Sequence, residues 1–129
     1  MNSVISSHSP SAVNQAVSVL NAGGLVGLPT ETVYGLAARA DIDAAVANIF
    51  RAKGRPTGHP LILHIADISE LDRYAFNVPS AALTLAQHCW PGPLTLLLHK
   101  TNAVSHLVTG GRETVAIRIP ANNCALKII

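Results

Sequence analysis

At 129 residues the chain is sized for one domain, long enough to bury a core of its own. Hydrophobic residues make up 49% and charged ones 12%, which excludes a disordered, charge-driven chain. A formal net charge of +2 and an aromatic content of 4% argue against a nucleic-acid binder built on a strongly basic surface or on base stacking.

In chain order, residues 1–9 are polar and are expected to form a flexible segment, with the folded domain at 10–129. Ser9 and Pro10 suit a helix start, Val13, Ala16, Val17 and Leu20 recur at helical spacing, and Gly23-Gly24 end the helix. A strand at 25–28 is halted by Pro29. Residues 30–36 mix hydroxyls with Tyr34 and Gly35 and read as a structured loop or irregular strand. Asp41 or Asp43 stands ready to cap a second helix, whose apolar stripe is Val46, Ile49 and Phe50 and whose stop is Gly54. A strand at 61–65 follows, then a short helix with a capping-box spacing at Asp67 and Glu70. Pro79 opens a helix with Leu83, Ala86 and Trp90 on one face. Trp90-Pro91-Gly92-Pro93 is a turn, 94–99 a strand, and 105–108 one helical turn before Gly110-Gly111. The last strand, 114–119, stops at Pro120, and 125–129 reads as the first turn of an apolar helix.

Alternating helices and strands predict an α/β sheet with helices packed on it. On the last strand Val115, Ile117 and Ile119 share one face and Thr114, Ala116 and Arg118 the other. Thr95 and His99 likewise oppose Leu94, Leu96 and Leu98, and His64 opposes Leu61, Leu63 and Ile65. Such a sheet, apolar on one face and partly polar on the other, is suited to lining a cavity.

The most distinctive local feature is Lys53-Gly54-Arg55-Pro56, leading through His59 to Pro60-Leu61. Between Ala44 and Ala66 the chain carries Arg51, Lys53 and Arg55 and no acidic residue. Cations after a helix are favoured by its dipole. Equally, the planar fork of arginine and the mobile point charge of lysine suit phosphate oxygens. The spacing leaves both readings open. Arg118 interrupts an apolar strand, so its charge must meet solvent at a sheet edge, a partner or a ligand.

Other chemistries find no support. There is no glycine-rich phosphate loop, no zinc spacing among the histidines and cysteines, and no nucleophile elbow or Ser-His-Asp pattern. Cys89 reads as a buried, inert thiol. No catalytic residue and no metal ligand is assigned. Two cysteines are too few for a disulfide framework, residues 1–11 lack the marks of a signal peptide, and no apolar run can span a bilayer. The expected location is therefore cytoplasmic.

Four stretches carry a family resemblance: Pro29-Thr30-Glu31-Thr32-Val33-Tyr34-Gly35-Leu36; Lys53-Gly54-Arg55-Pro56 with His59-Pro60-Leu61; Trp90-Pro91-Gly92-Pro93-Leu94-Thr95; and Val115-Ala116-Ile117-Arg118-Ile119-Pro120. In this order they resemble the YrdC-like threonylcarbamoyl-adenylate synthases, from about Val13 onward. The resemblance implies an α/β fold, a curved mixed sheet with flanking helices around a large cavity. It also implies joining L-threonine, bicarbonate or carbon dioxide, and ATP into threonylcarbamoyl-adenylate with release of pyrophosphate. Partner proteins would then pass the threonylcarbamoyl group to adenosine in tRNA.

By the same resemblance Lys53 and Arg55 would hold ATP phosphates. Thr30, Thr32 and Tyr34 would shape the threonine and carbamate pocket, and Arg118 would pair with the threonine carboxylate. His64 and Thr95 would join them from the cavity face, with Glu31 as a structural hydrogen-bond partner. Mg²⁺ is expected with ATP. The family carries a further Ser-x-Asn motif downstream of the Arg118 strand, which these residues lack, so a shortened, incomplete domain is expected. Two alternatives stand beside the synthase: a non-catalytic relative that binds tRNA or other double-stranded RNA weakly, and an inactive fragment that self-associates.

Overall fold

A central strand, β5 (Thr114–Arg118), organises the structure, a computed structural model that describes residues 3–129. Met1 and Asn2, part of the segment expected to be flexible, lie outside the described residues. The strand's period of two buries Val115 and Ile117 almost completely, and Ile119 continues the pattern just beyond it. On one side β5 pairs in parallel with β3 (Ile62–His64), and on the other antiparallel with β4 (Leu96–His99). A separate antiparallel pair joins β1 (Val26–Leu28) to β2 (Gly35–Ala37).

Helices cover one face of the three-stranded sheet. Leu63, Ile65, Leu96, Leu98, Val115, Ile117 and Ile119 form a single core with Val46 and Phe50 of α2 (Asp43–Lys53). The same core takes in Leu71 of α3 (Leu71–Tyr74), Ala86 of α4 (Ser80–Cys89) and Val108 of α5 (His106–Thr109). Each large aliphatic side chain buried there stabilises the fold by roughly 1.5–3 kcal/mol. A second cluster joins Leu20 of α1 (Ala12–Asn21), Leu28 of β1 and Ile128 of α6 (Asn123–Ile128). The last helix, capped by the Asn122 side chain on the Ala125 amide, thus packs with the first.

The opposite face of the sheet is open. There Ile62 pairs with Ala116, and Ala116 with Leu97, so three apolar side chains form one row. Leu97 is 68% exposed. No helix among the described residues is long and apolar enough to cross a membrane.

Several helix ends differ from the pattern read in the sequence. The first helix begins at Ala12, because Ser9 and Pro10 lie in a turn in which Ser9 O accepts the Ala12 amide. Ile42, not an aspartate, occupies the N-cap of α2. Asp41 is held instead by Arg39, whose Nε and Nη2 bind its carboxylate and keep it below the usual carboxylate range. Asp43 sits in the first turn, where its charge favours the helix dipole. The Asp67–Glu70 capping box is present on a 3-10 turn at Ile68–Glu70. On α4, Ala86 is buried and Trp90 follows it into the core, whereas Leu83 is 38% exposed and Cys89, expected to be buried, is exposed on the side turned away from that core.

Candidate functional site

His64 and Arg118 are register partners at the carboxyl ends of the two parallel strands. Ligands of open α/β sheets bind outside such strand ends. From the antiparallel side Thr95 completes the row, its Oγ1 accepting from Arg118 Nε at 3.0 Å and Nη2 at 2.7 Å. The three side chains stand on the open face, Arg118 in the middle with His64 and Thr95 on its two flanks. Arg118 is half-buried on the central strand, so exposure at a sheet edge does not account for its charge. Among the described residues no carboxylate lies within ion-pair distance of it.

Local sequence explains how Thr95 reaches this place. Trp90 is buried and its indole N–H donates to Leu94 O at 2.7 Å, while the Gly92 amide donates to Ile119 O at 2.8 Å. The Trp-Pro-Gly-Pro turn is thereby fastened to the end of β5 before β4 begins.

The loop between β1 and β2 approaches the same end of the sheet. Thr30 Oγ1 donates to Val33 O at 2.6 Å, accepts from the Val33 amide at 3.2 Å and lies 3.0 Å from Thr32 Oγ1. This hydroxyl-organised turn leaves Val33 and Tyr34 exposed, Tyr34 by 83%. Glu31 Oε2 accepts from the Ala121 amide at 2.9 Å, docking the turn beside the chain that leaves β5. Glu31 thus acts as a structural acceptor.

The electrostatics of His64 report this convergence. Burial pushes its imidazole below its ordinary pKa, and repulsion from Arg118 adds to the shift. A bond from Nδ1 to Ile62 O at 3.1 Å and the charge of Glu31 oppose it. The ring is therefore neutral at neutral pH, beside an arginine whose Nη1 makes no hydrogen bond among the described residues.

Lys53 and Arg55 take a different position. Gly54 closes α2 with φ +62°, a left-handed conformation that glycine adopts without strain, and the Arg55 amide returns to Phe50 O at 2.9 Å. The whole stretch 51–60 is exposed. Among the described residues Lys53 and Arg55 form no ion pair, and no hydrogen bond joins them to the row of His64, Arg118 and Thr95.

A groove of about 800 Å³ lies elsewhere, lined by Asp41, Thr57, Lys100, Asn102 and His106 among others. Neither His64, Thr95 nor Arg118 lines it. Lys100 is a buried lysine missed from the sequence; its Nζ donates to Val104 O at 3.0 Å. The signal was its parity, since Leu96, Leu98 and Lys100 share one side of an extended chain. Among the described residues no group of three His, Cys, Asp or Glu converges on a metal position.

Comparison with known proteins identifies the family and the fold. A family model described as "Sua5_yciO_yrdC: Telomere recombination" matches residues 18–129. The chain is 51% identical over 114 residues to a threonylcarbamoyl-AMP synthase of Pyrococcus abyssi, covering 88% of the chain and 34% of that protein. It is 50% identical over 118 residues to the Bacillus subtilis protein of the same name, covering 91% of the chain and 34% of the relative. The solved structure of P. abyssi Sua5 complexed with L-threonine superposes with a TM-score of 0.90 at 46% identity, over 98% of this chain and 36% of that one. The chain thus spans about a third of the length of these relatives. With the family model matched from α1 to the last residue and the fold shared with Sua5, this chain belongs to the Sua5/YciO/YrdC family.

Proposed function

We propose that this chain supplies the threonine-binding end of a threonylcarbamoyl-adenylate synthase. The reaction would join L-threonine, bicarbonate or carbon dioxide, and ATP, releasing pyrophosphate. One observation carries this reading: the Arg118 guanidinium on the open face, oriented by Thr95 and left without a carboxylate partner among the described residues. A planar fork held in that way suits bidentate pairing with an amino-acid carboxylate.

The remaining residues fit the same chemistry. Thr30 and Thr32 offer hydroxyls on a turn docked beside Arg118, and Tyr34 offers an exposed phenol next to them. Neutral His64 offers a hydrogen-bonding nitrogen without adding a second cation. The threonine amine would take up carbon dioxide as a carbamate, and a carbamate oxygen would displace pyrophosphate from the α-phosphate of ATP. No protein nucleophile is needed; the gain comes from holding the reactants in line and from stabilising phosphate charge. Lys53 and Arg55, exposed and unpaired among the described residues, are free for the ATP phosphates. Mg²⁺ would arrive with the nucleotide and keep much of its water shell, since no three His, Cys, Asp or Glu of the described residues form a cage. The product would feed tRNA-modifying proteins, in the cytoplasm.

The test is pyrophosphate release by the full chain with ATP, threonine and bicarbonate. Release that requires both threonine and bicarbonate supports the reading. Release indifferent to threonine, or failure of the chain to bind threonine, overturns it.

A further inference from the structure

The cationic loop that follows α2 is not free along its length. At Gly58 it meets the turn between α5 and β5. Arg112 Nη1 donates to Gly58 O at 3.2 Å, a contact that spans 54 positions of sequence. Gly110 lies against the same carbonyl. A Cβ at Gly110 would stand well inside van der Waals contact with Gly58 O and 2.7 Å from Arg112 Nη1, and its φ of +62° already disfavours any other residue. Three residues on, the Leu61 amide donates to Val108 O at 2.8 Å, fixing the far end of the loop to α5. At the near end the Arg55 amide returns to Phe50 O at 2.9 Å.

We propose that Gly110 and Arg112 are positioning residues for Lys53 and Arg55, holding their loop at Gly58 so that both cations face the phosphates from a fixed backbone. The function of the tether rests on the proposed phosphate role of that loop; the tether itself does not. Gly110 supplies the room for the two turns to approach, and Arg112 supplies the bond that keeps them together. Neither touches substrate. The arrangement lowers the entropy lost when two long side chains are ordered on a polyanion.

The experiment is limited trypsin digestion of the full chain, with steady-state kinetics on the same variants. Trypsin cuts at Lys53-Gly54, where α2 passes into the tethered loop, and after Arg73, on a different element. Arg112→Ala is expected to speed cleavage at Lys53-Gly54 about three- to tenfold relative to cleavage after Arg73. Arg112→Lys, which keeps a donor, is expected to restore most of the protection. The same Arg112→Ala change should raise the KM for ATP about five- to tenfold and leave kcat and the KM for threonine within about twofold. Gly110→Ala should behave alike; should it fail to fold, the Arg112 pair carries the test alone.

Unchanged relative cleavage in Arg112→Ala overturns the tether. Cleavage accelerated equally at both sites also overturns it, since that is global loosening. A looser loop with an unchanged KM for ATP overturns the positioning role. Lys53→Ala with Arg55→Ala, run alongside, separates the two ideas: if that double variant also leaves the KM for ATP unchanged, the phosphate reading of the loop has failed while the tether stands.

Discussion

Arg118 gives two of its N–H groups, from Nε and Nη2, to a single acceptor, Oγ1 of Thr95, at 3.0 and 2.7 Å. A hydroxyl has two lone pairs and one proton. With both lone pairs engaged by the guanidinium, the Thr95 proton is left to be donated outward, onto the open face. The pair therefore presents one cationic fork and one neutral donor, side by side.

Thr95→Val removes the acceptor and keeps the shape. Threonine affinity should fall about tenfold, and Thr95→Ser should retain most of it. Arg118→Lys should fare worse, by about 10- to 100-fold, because a point charge cannot reproduce the fork. Calorimetric titration of threonine checks all three, and a Thr95→Val protein with unchanged affinity would contradict the assignment.

Lys53→Ala with Arg55→Ala should weaken ATP binding about 10- to 100-fold. Because both side chains are exposed, unfolding stability should change by no more than about 0.5 kcal/mol. Nucleotide titration and denaturant melts, done together, separate the two effects.

The depressed pKa of His64 has a definite sign. Its folded value lies below its unfolded one, so the unfolded chain takes up the proton first as pH falls. The stability tied to the neutral ring is complete above the unfolded value of about 6.5. It declines as pH falls from there through the folded pKa, and is level below it. Denaturant melts between pH 7.5 and 5 should show this slope, and His64→Asn should flatten it.

Glu31→Ala strips the acceptor from the Ala121 amide, whose bond spans 90 positions. The expected cost is about 0.5–1.5 kcal/mol. Hydrogen exchange at Ala121 should accelerate while the amides of β5 keep their protection, and a uniform acceleration would instead indicate a general loss of packing.

Much of the fold is legible in the sequence where a single local rule decides. The alternation of Val115, Ile117 and Ile119 has one satisfactory burial pattern, and the Asp67–Glu70 box needs only four residues. The end of α2 at Gly54 is equally local. What was not legible depends on long-range partners. Asp41 looks like a helix cap until Arg39 takes its carboxylate, and that competition is invisible in spacing. The setting of Arg118, at an edge or in the middle of the sheet, turns on whether β5 pairs on one side or both, and strand order is not written in any one strand. The motif resemblance supplied the grouping of His64, Thr95 and Arg118. The register supplies its physical reason, because His64 and Arg118 are direct partners and Thr95 immediately precedes the strand on the other flank.

The row of His64, Arg118 and Thr95 makes recognition a check on assembly. Its members come from two strands and the residue just before a third, brought together by one parallel and one antiparallel pairing. A slip of one residue in either flank would turn the replacement side chain toward the core and abolish the row. A carboxylate bound there would select the correctly zipped sheet over every misaligned one and raise its melting temperature by mass action. Substrate would act on this chain as a late proofreader of its own strand alignment.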